Sequence, residues 1–373
     1  MHVLLTITTL SGPGGAERVM SIMANYMAEK GRTVSIITFD ESGGPPFYKL
    51  HPKVKQIRVN TKIEYLNVLG KIKSIFTRYI RIRQIYITEK PDVIISFLTS
   101  TNIKTLRYML FSNIPVIVAE RIAPATLSMK NKVNMRWLYP KASAVVFQTK
   151  NMIDHFPRMI RGKGVVIPNP VPYISNYILQ PEIALPEGKL LFAVGHMSQK
   201  KMHQKGFDLL IPVFGYLSDR HPDWRLVILN DGPEKAVLEK EIERWNLKNR
   251  VFLAGKVKNI FNIFKAGDLF VLSSRYEGFP NALCEAMACG LPAVSFDCPT
   301  GPGDIIRNGI DGILVPPEDV EGLAKALNTL MSDEVLRKKM GERATDIAER
   351  FGVEKIMDMW EKVISGVIKN RYS

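Results

Sequence analysis

The chain has 373 residues, 46% of them apolar, and a mean hydropathy of −0.01, an ordinary globular composition with room for two or three domains of roughly 150 residues. No run reaches the ~18 consecutive apolar residues of a membrane span, and MHVLLTITTL at the start lacks a signal peptide's basic region and cleavage site, so a cytoplasmic protein is expected. The net charge of +15 is segregated: residues 1–170 carry 25 Lys and Arg against 9 Asp and Glu, residues 171–373 carry 26 against 27. Such sorting points the first half at something anionic, whether nucleic acid, a phospholipid leaflet or a phosphorylated substrate.

In chain order, a strand over 2–9 leads into the glycine loop SGPGGAER (11–18), a helix over about 15–30 and a strand over 33–39. Gly12 and Gly14 fit the start of a G-x-G-x-x-G fingerprint, and Asp40 ends the second strand. Glu17 stands where the third glycine must allow close helix-to-strand contact, so NAD binding is set aside. KIKSIFTRYIRIRQIY (71–86) is an amphipathic helix: Ile72, Ile75, Phe76, Tyr79, Ile82 and Tyr86 share an arc, Lys71, Arg78 and Arg81 lie opposite, and Arg83 interrupts the apolar side. It either packs on its own domain with a solvated basic face or docks on anionic lipid.

PDVIISFL (91–98), IPVIVAE (114–120) and ASAVVFQT (142–149) follow as continuous apolar strands of the kind buried between helix layers. No zinc-finger, helix-turn-helix or RNA-stacking signature accompanies the charge, so nucleic acid is not the expected partner. Pro168, Pro170, Pro172, Pro181 and Pro186 mark a linker, placed at 171–188. The alternation restarts with strands at 189–195, 224–230, 250–255, 269–274, 291–296 and 312–317, and ends with a helix over about 353–368 that carries Trp360 and crosses back to the first domain. The expected fold is α/β: two doubly wound Rossmann-like domains, 1–170 and 189–352, facing a central cleft with ligands beyond the strands' carboxyl ends. Cys284, Cys289 and Cys298 form no CxxC pair and read as structural thiols.

The densest chemistry lies in YEGFPNALCEAMACG (276–290), directly after a strand. Pro280 suits a first helical position, and the amides of Phe279, Pro280's neighbours Asn281 and Ala282 would then meet a phosphate at the helix's positive end. Glu277 precedes this helix and Glu285 lies one and a half turns into it; the alternatives are a helix cap and a surface residue. In VAERIAP (118–124), Glu120 and Arg121 are either site residues or a surface ion pair. Gly301 and Gly303 in GPGDII free backbone amides, with Asp304 a capping candidate.

These segments resemble the retaining glycosyltransferases of family 4 with the GT-B fold, whose signature is a Glu, seven-residue, Glu segment. The likeness extends through GGAERV (14–19), VVFQTKNMIDHF (145–156), VVIPNPV (165–171), KGFDLLI (205–211), DGP (231–233), FVLSSRYEGFPNALCEAMACGLP (270–292) and FDCPTGPGDII (296–306). It implies that Glu277 contacts donor-sugar hydroxyls, Glu285 holds the ribose, and Lys205 clamps the diphosphate. The family's clamp Arg is replaced by His196, a positioned hydrogen-bond donor, in a longer loop where Lys200 or Lys201 substitutes for it. Gly14 and Gly15 approach the donor phosphate, and Gly301 and Gly303 belong to the donor loop. Where many relatives carry a catalytic His, Glu120 and Arg121 stand instead, as in the bacterial surface-polysaccharide enzymes. The resemblance implies a nucleotide-sugar donor, UDP-hexose or UDP-N-acetylhexosamine first, a lipid-linked or lipopolysaccharide glycan acceptor, no cofactor and no metal. Peripheral seating on the inner face of the cytoplasmic membrane through Lys71, Arg78 and Arg81 completes the expectation. A sugar-nucleotide epimerase shares the architecture but would convert donor without acceptor.

Overall fold

The computed structural model describes residues 1–40, 44–59, 68–122, 126–172, 181–198, 203–257 and 259–372, with the backbone alone over 68–76 and at 372. Its contacts divide into two compact units, Met1–Pro170 with Val353–Ser373, and Val171–Gly352.

The first unit is built on a seven-stranded parallel sheet ordered β3-β2-β1-β4-β5-β6-β7. Its strands are β1 (His2–Ile7), β2 (Thr33–Thr38), β3 (Lys55–Arg58), β4 (Val93–Phe97), β5 (Val116–Ala119), β6 (Ala144–Phe147) and β7 (Gly164–Val166). Helices α1 (Gly15–Glu29), α2 (Val68–Thr88), α3 (Thr99–Tyr108), α4 (Met129–Leu138), α5 (Lys150–Asp154) and α6 (Arg158–Arg161) connect them. The apolar runs in the sequence became the central strands because helices cover both of their faces. The edge strands β3 and β7 went unread: KQIR is mostly exposed, and GVV is only three residues long. A strand covered by little else needs no continuous apolar run.

The second unit has a six-stranded parallel sheet ordered β10-β9-β8-β11-β12-β13. It comprises β8 (Lys189–Val194), β9 (Trp224–Leu229), β10 (Val251–Gly255), β11 (Leu269–Leu272), β12 (Ala293–Phe296) and β13 (Gly312–Val315). The helices are α7 (Phe207–Ser218), α8 (Lys235–Arg244), α9 (Ile260–Phe264), α10 (Asn281–Ala288), α11 (Pro302–Ile305), α12 (Val320–Ser332), α13 (Glu334–Ala344) and α14 (Ile347–Arg350). In both sheets the winding reverses beside the first strand, between β1 and β4 and between β8 and β11, so the loops after those strands part and leave a crevice.

The last helix, α15 (Val353–Tyr372), runs four residues beyond its expected end and packs in the first unit. Trp360 is fully buried there, stacked on Phe97 with ring centroids 6.0 Å apart, and Met357 and Ile364 are buried beside it. On α2, Ile82 and Tyr86 are buried and Tyr79 is partly so, which places the arc's described residues in the unit's own core. Arg83, the interruption, turns inward to donate to the carbonyls of Tyr108 and Leu110 at 2.7 and 2.6 Å, satisfying the end of α3. Lys71's side chain lies outside the described residues; Arg78 is half-buried and Arg81 exposed. Cys284 and Cys298 are buried and Cys289 partly so; burial raises all three thiols, Cys289 and Cys298 to about 12, which keeps them protonated.

Candidate functional site

In the second unit the site grows from the switch between β8 and β11. Lys205 precedes α7 and is aimed by its neighbours: Ser273 Oγ donates to the Lys205 carbonyl at 2.8 Å, and Gly206, at φ 65°, presses its backbone against Ser273 so closely that a Cβ would overlap the Ser273 carbonyl oxygen. Gly195, just past β8, leaves the passage for the lysine stem, since a Cβ there would stand 2.6 Å from Lys205 Cγ. The ammonium meets Glu277 Oε1 at 2.7 Å, and Ser274 Oγ donates to the same oxygen at 2.7 Å. Both side chains are largely withdrawn from water, 19% and 9% exposed, so they interact through a lower dielectric than a surface pair.

Glu277 is therefore no helix cap; its Oε1 is engaged by Lys205 and Ser274, and its carbonyl accepts from Thr300 Oγ1. Helix α10 begins at Asn281, with Pro280 at its N-cap and not at the first helical position, because Pro280's ψ of 92° is extended. The helix has no side-chain cap, while Phe279 and Pro280 are buried and Asn281 and Ala282 half-buried. Glu285 is 5% exposed, against its surface alternative. Gly301, at φ 103°, lies against this turn: a Cβ would come within 2.8 Å of Pro280 Cδ. A Cβ on Gly303 would likewise stand 2.7 Å from Asp297 Oδ1.

His196 is exposed at the start of its loop, while Met197 is buried and exchanges backbone hydrogen bonds with Asp231 of the DGP segment and with Glu234 just after it, at 3.1 and 2.8 Å. Lys200 and Lys201 lie outside the described residues. Sequence reasoning missed Arg275. Its guanidinium grips Asp208 with two bonds of 2.8 and 2.7 Å, Glu318 at 2.7 Å and the carbonyl of His203 at 2.7 Å, tying the 203–208 segment to the end of β11. Its place one residue before the Tyr-Glu pair was the available signal.

In the first unit, Glu120 and Arg121 directly follow β5 and are no surface ion pair. Glu120 is fully buried and accepts from Thr99 Oγ1 at 2.7 Å, Asn102 Nδ2 at 3.0 Å and the Tyr139 hydroxyl. Burial pushes its carboxyl above the usual carboxylate range, with those hydrogen bonds pulling the other way. Arg121 lies over the Phe97 ring, 4.1 Å from its centroid, and donates from Nη1 to Asn169 Oδ1, which also accepts from Gln148 Nε2 at 2.9 Å. Among the described residues its Nε and Nη2 have no hydrogen-bond partner, and burial lowers its pKa to about 9. Asn169 thus holds Arg121.

Gly14 caps α1 without a side-chain bond, and Gly15 is exposed at the helix's first position. The Glu17 carboxylate folds back over Gly14, occupying the space of a Cβ, and burial raises its pKa. Asp40 accepts from Thr9 and Thr38 at 2.8 and 3.0 Å, one bond to each oxygen, so both are engaged within the protein. No group of three or more His, Cys, Asp or Glu among the described residues could hold a metal ion, and no described helix is long and apolar enough to cross a membrane.

Residues 13–173 match the family described as Glycosyltransferase Family 4, and residues 181–347 match Glycosyl transferases group 1. The exopolysaccharide phosphotransferase SCO2592 of Streptomyces coelicolor is 38% identical over 51% of the chain, a match that spans 20% of that protein. An α-1,4-N-acetyl-D-galactosaminyltransferase of Campylobacter jejuni, named for a GalNAc-containing glycan on PP-undecaprenol, is 28% identical over 98% of this chain and 99% of its own. Among solved structures, Anabaena Alr3699/HepE in complex with UDP and glucose superposes with a TM-score of 0.76 at 19% identity, over 98% of this chain and 100% of that one.

Proposed function

The chain belongs to glycosyltransferase family 4 and has the GT-B fold, and from that premise we propose that it transfers a sugar from a nucleotide-diphosphate donor to a lipid-linked or lipopolysaccharide-type glycan with retention of anomeric configuration. The observation that carries the reading is the largely buried Lys205–Glu277 pair beside the start of α10, which has no side-chain cap. A lysine with three donors can keep Glu277 and donate to a phosphate oxygen as well. Its charge and the helix terminus would stabilise the departing diphosphate, a preorganised contribution made where charge develops in the transition state.

In this reading Glu277 holds donor-sugar hydroxyls near the reacting carbon and Glu285 holds the ribose. The donor loop at Gly301 and Gly303 approaches the phosphates. The acceptor hydroxyl attacks from the face the diphosphate leaves, and a donor phosphate oxygen takes its proton, so no protein base and no metal is required. Arg121, held by Asn169 and Phe97 and seated beside buried Glu120, serves the sugar or acceptor side with its free donors. The acceptor class follows the C. jejuni relative, whose name gives an undecaprenyl-diphosphate-linked glycan. The acidless basic stretches of the first unit suit a protein working on the inner face of an anionic membrane.

A thermal-shift screen of nucleotides tests the donor. A ligand at 100 times its Kd stabilises the native state by ~2.7 kcal/mol. For a unit of this size that is a rise of about 5–10 °C. A shift with UDP or a UDP-sugar is expected; a shift with GDP-mannose alone would replace the nucleotide, and none with any nucleotide would overturn the donor site.

A further inference from the structure

The arc of α2 whose described members are buried is not available to a bilayer, yet another helix of the same unit keeps its apolar residues outside. In α4, MKNKVNMRWL, only Met135 and Leu138 are buried. Met129, Val133 and Trp137, spaced i, i+4 and i+8 along one face, are 73%, 54% and 75% exposed. Lys130, Lys132 and Arg136 stand exposed beside them. Phe111, just past α3, is 97% exposed and held at φ 61°, a left-handed conformation that strains a bulky side chain.

The surroundings share one sign of charge. Helices α2, α3 and α4 contain no Asp or Glu, and none occurs between Glu120 and Asp154. Arg107 ties the three together: its carbonyl accepts from Tyr79 of α2 at 3.0 Å, and its Nη2 donates to Asn134 of α4 at 3.3 Å. Lys141, three residues beyond α4, and Phe111 line one cavity of about 570 Å³. Two copies meeting through this face would bring cations against cations, so self-association is disfavoured. An exposed indole among cations is the composition of an interfacial helix, with the ring at headgroup depth and the ammonium and guanidinium groups on lipid phosphates.

We propose that α4, through Met129, Val133 and Trp137 with Phe111 beside them, is the apolar anchor that seats this protein on an anionic phospholipid bilayer. The inference rests on the membrane reading above and names the element responsible for it. In a Trp245→Phe background the other two tryptophans, Trp224 and Trp360, are fully buried, which leaves Trp137 as the exposed indole. On phosphatidylglycerol–phosphatidylethanolamine vesicles its emission should shift to the blue and be quenched by brominated acyl chains, with no response to phosphatidylcholine. The triple variant M129S/V133S/W137S should lose at least about tenfold in vesicle partitioning, the equivalent of ~1.4 kcal/mol. Activity on a soluble acceptor should persist, which shows that the variant is folded.

Wild-type protein that fails to bind anionic vesicles would overturn the membrane reading itself. Wild-type binding that survives the triple variant, with Trp137 emission unmoved, would overturn the anchor and leave the membrane reading standing. A dimer that the triple variant dissolves would assign the face to a second copy and overturn the proposal.

Discussion

Replacing Lys205 tests the site most directly. Two unit charges 2.7 Å apart interact by roughly 6 kcal/mol at an effective dielectric near 20, and withdrawal of both groups from water offsets much of that. Lys205→Ala strands Glu277 with Ser274 as its remaining side-chain partner at that oxygen, so about 2 kcal/mol of stability should go, a fall of about 4–8 °C in the second unit's Tm. Turnover should fall further, by ~10²–10³, because one preorganised charge is lost where the diphosphate departs. Glu277→Ala should lose a comparable factor. Initial rates at saturating donor, for both single variants and the double, complete a cycle. Residues acting as one unit are strongly non-additive, so the double variant should fall within about tenfold of the worse single. Losses that multiply would show that the two residues act separately, and turnover within tenfold of wild type in either single variant would refute the site.

Two further outcomes follow from the first unit. Trp360→Ala removes a fully buried indole from its stack on Phe97 and should cost ~3–5 kcal/mol in urea unfolding; a cost under about 1 kcal/mol would mean that α15 does not brace this unit. Glu120's pKa is raised in the folded state above its unfolded ~4.3, so its contribution to stability is fullest below that value and is lost as pH rises through the folded pKa. Between about pH 5 and about pH 8 the urea midpoint should therefore decline in the wild type more than in Glu120→Gln, which cannot titrate there; parallel slopes would contradict the raised pKa.

Much of this was legible in the chain itself. Mostly apolar runs revealed the central strands because a parallel sheet covered on both faces favours them. Short motifs picked out Lys205 and Glu277, which the fold pairs at 2.7 Å beyond a strand end. Edge strands β3 and β7 were not legible, since partly exposed backbone imposes no such pattern. The same limit hid α4, whose unburied stripe reads in sequence like any amphipathic turn.

The sequence by itself determined the alternation of strands and helices, the charge asymmetry and the residue types of the site, since periodicity and composition are properties of neighbours along the chain. Tertiary structure decided what each polar group does. Glu277 pairs with Lys205 across 72 positions, Asn169 holds Arg121 across 48, and Arg83 caps α3 from within an apolar arc. A hydrogen bond depends on distance in space and a pKa on burial, and folding sets both by bringing distant segments together.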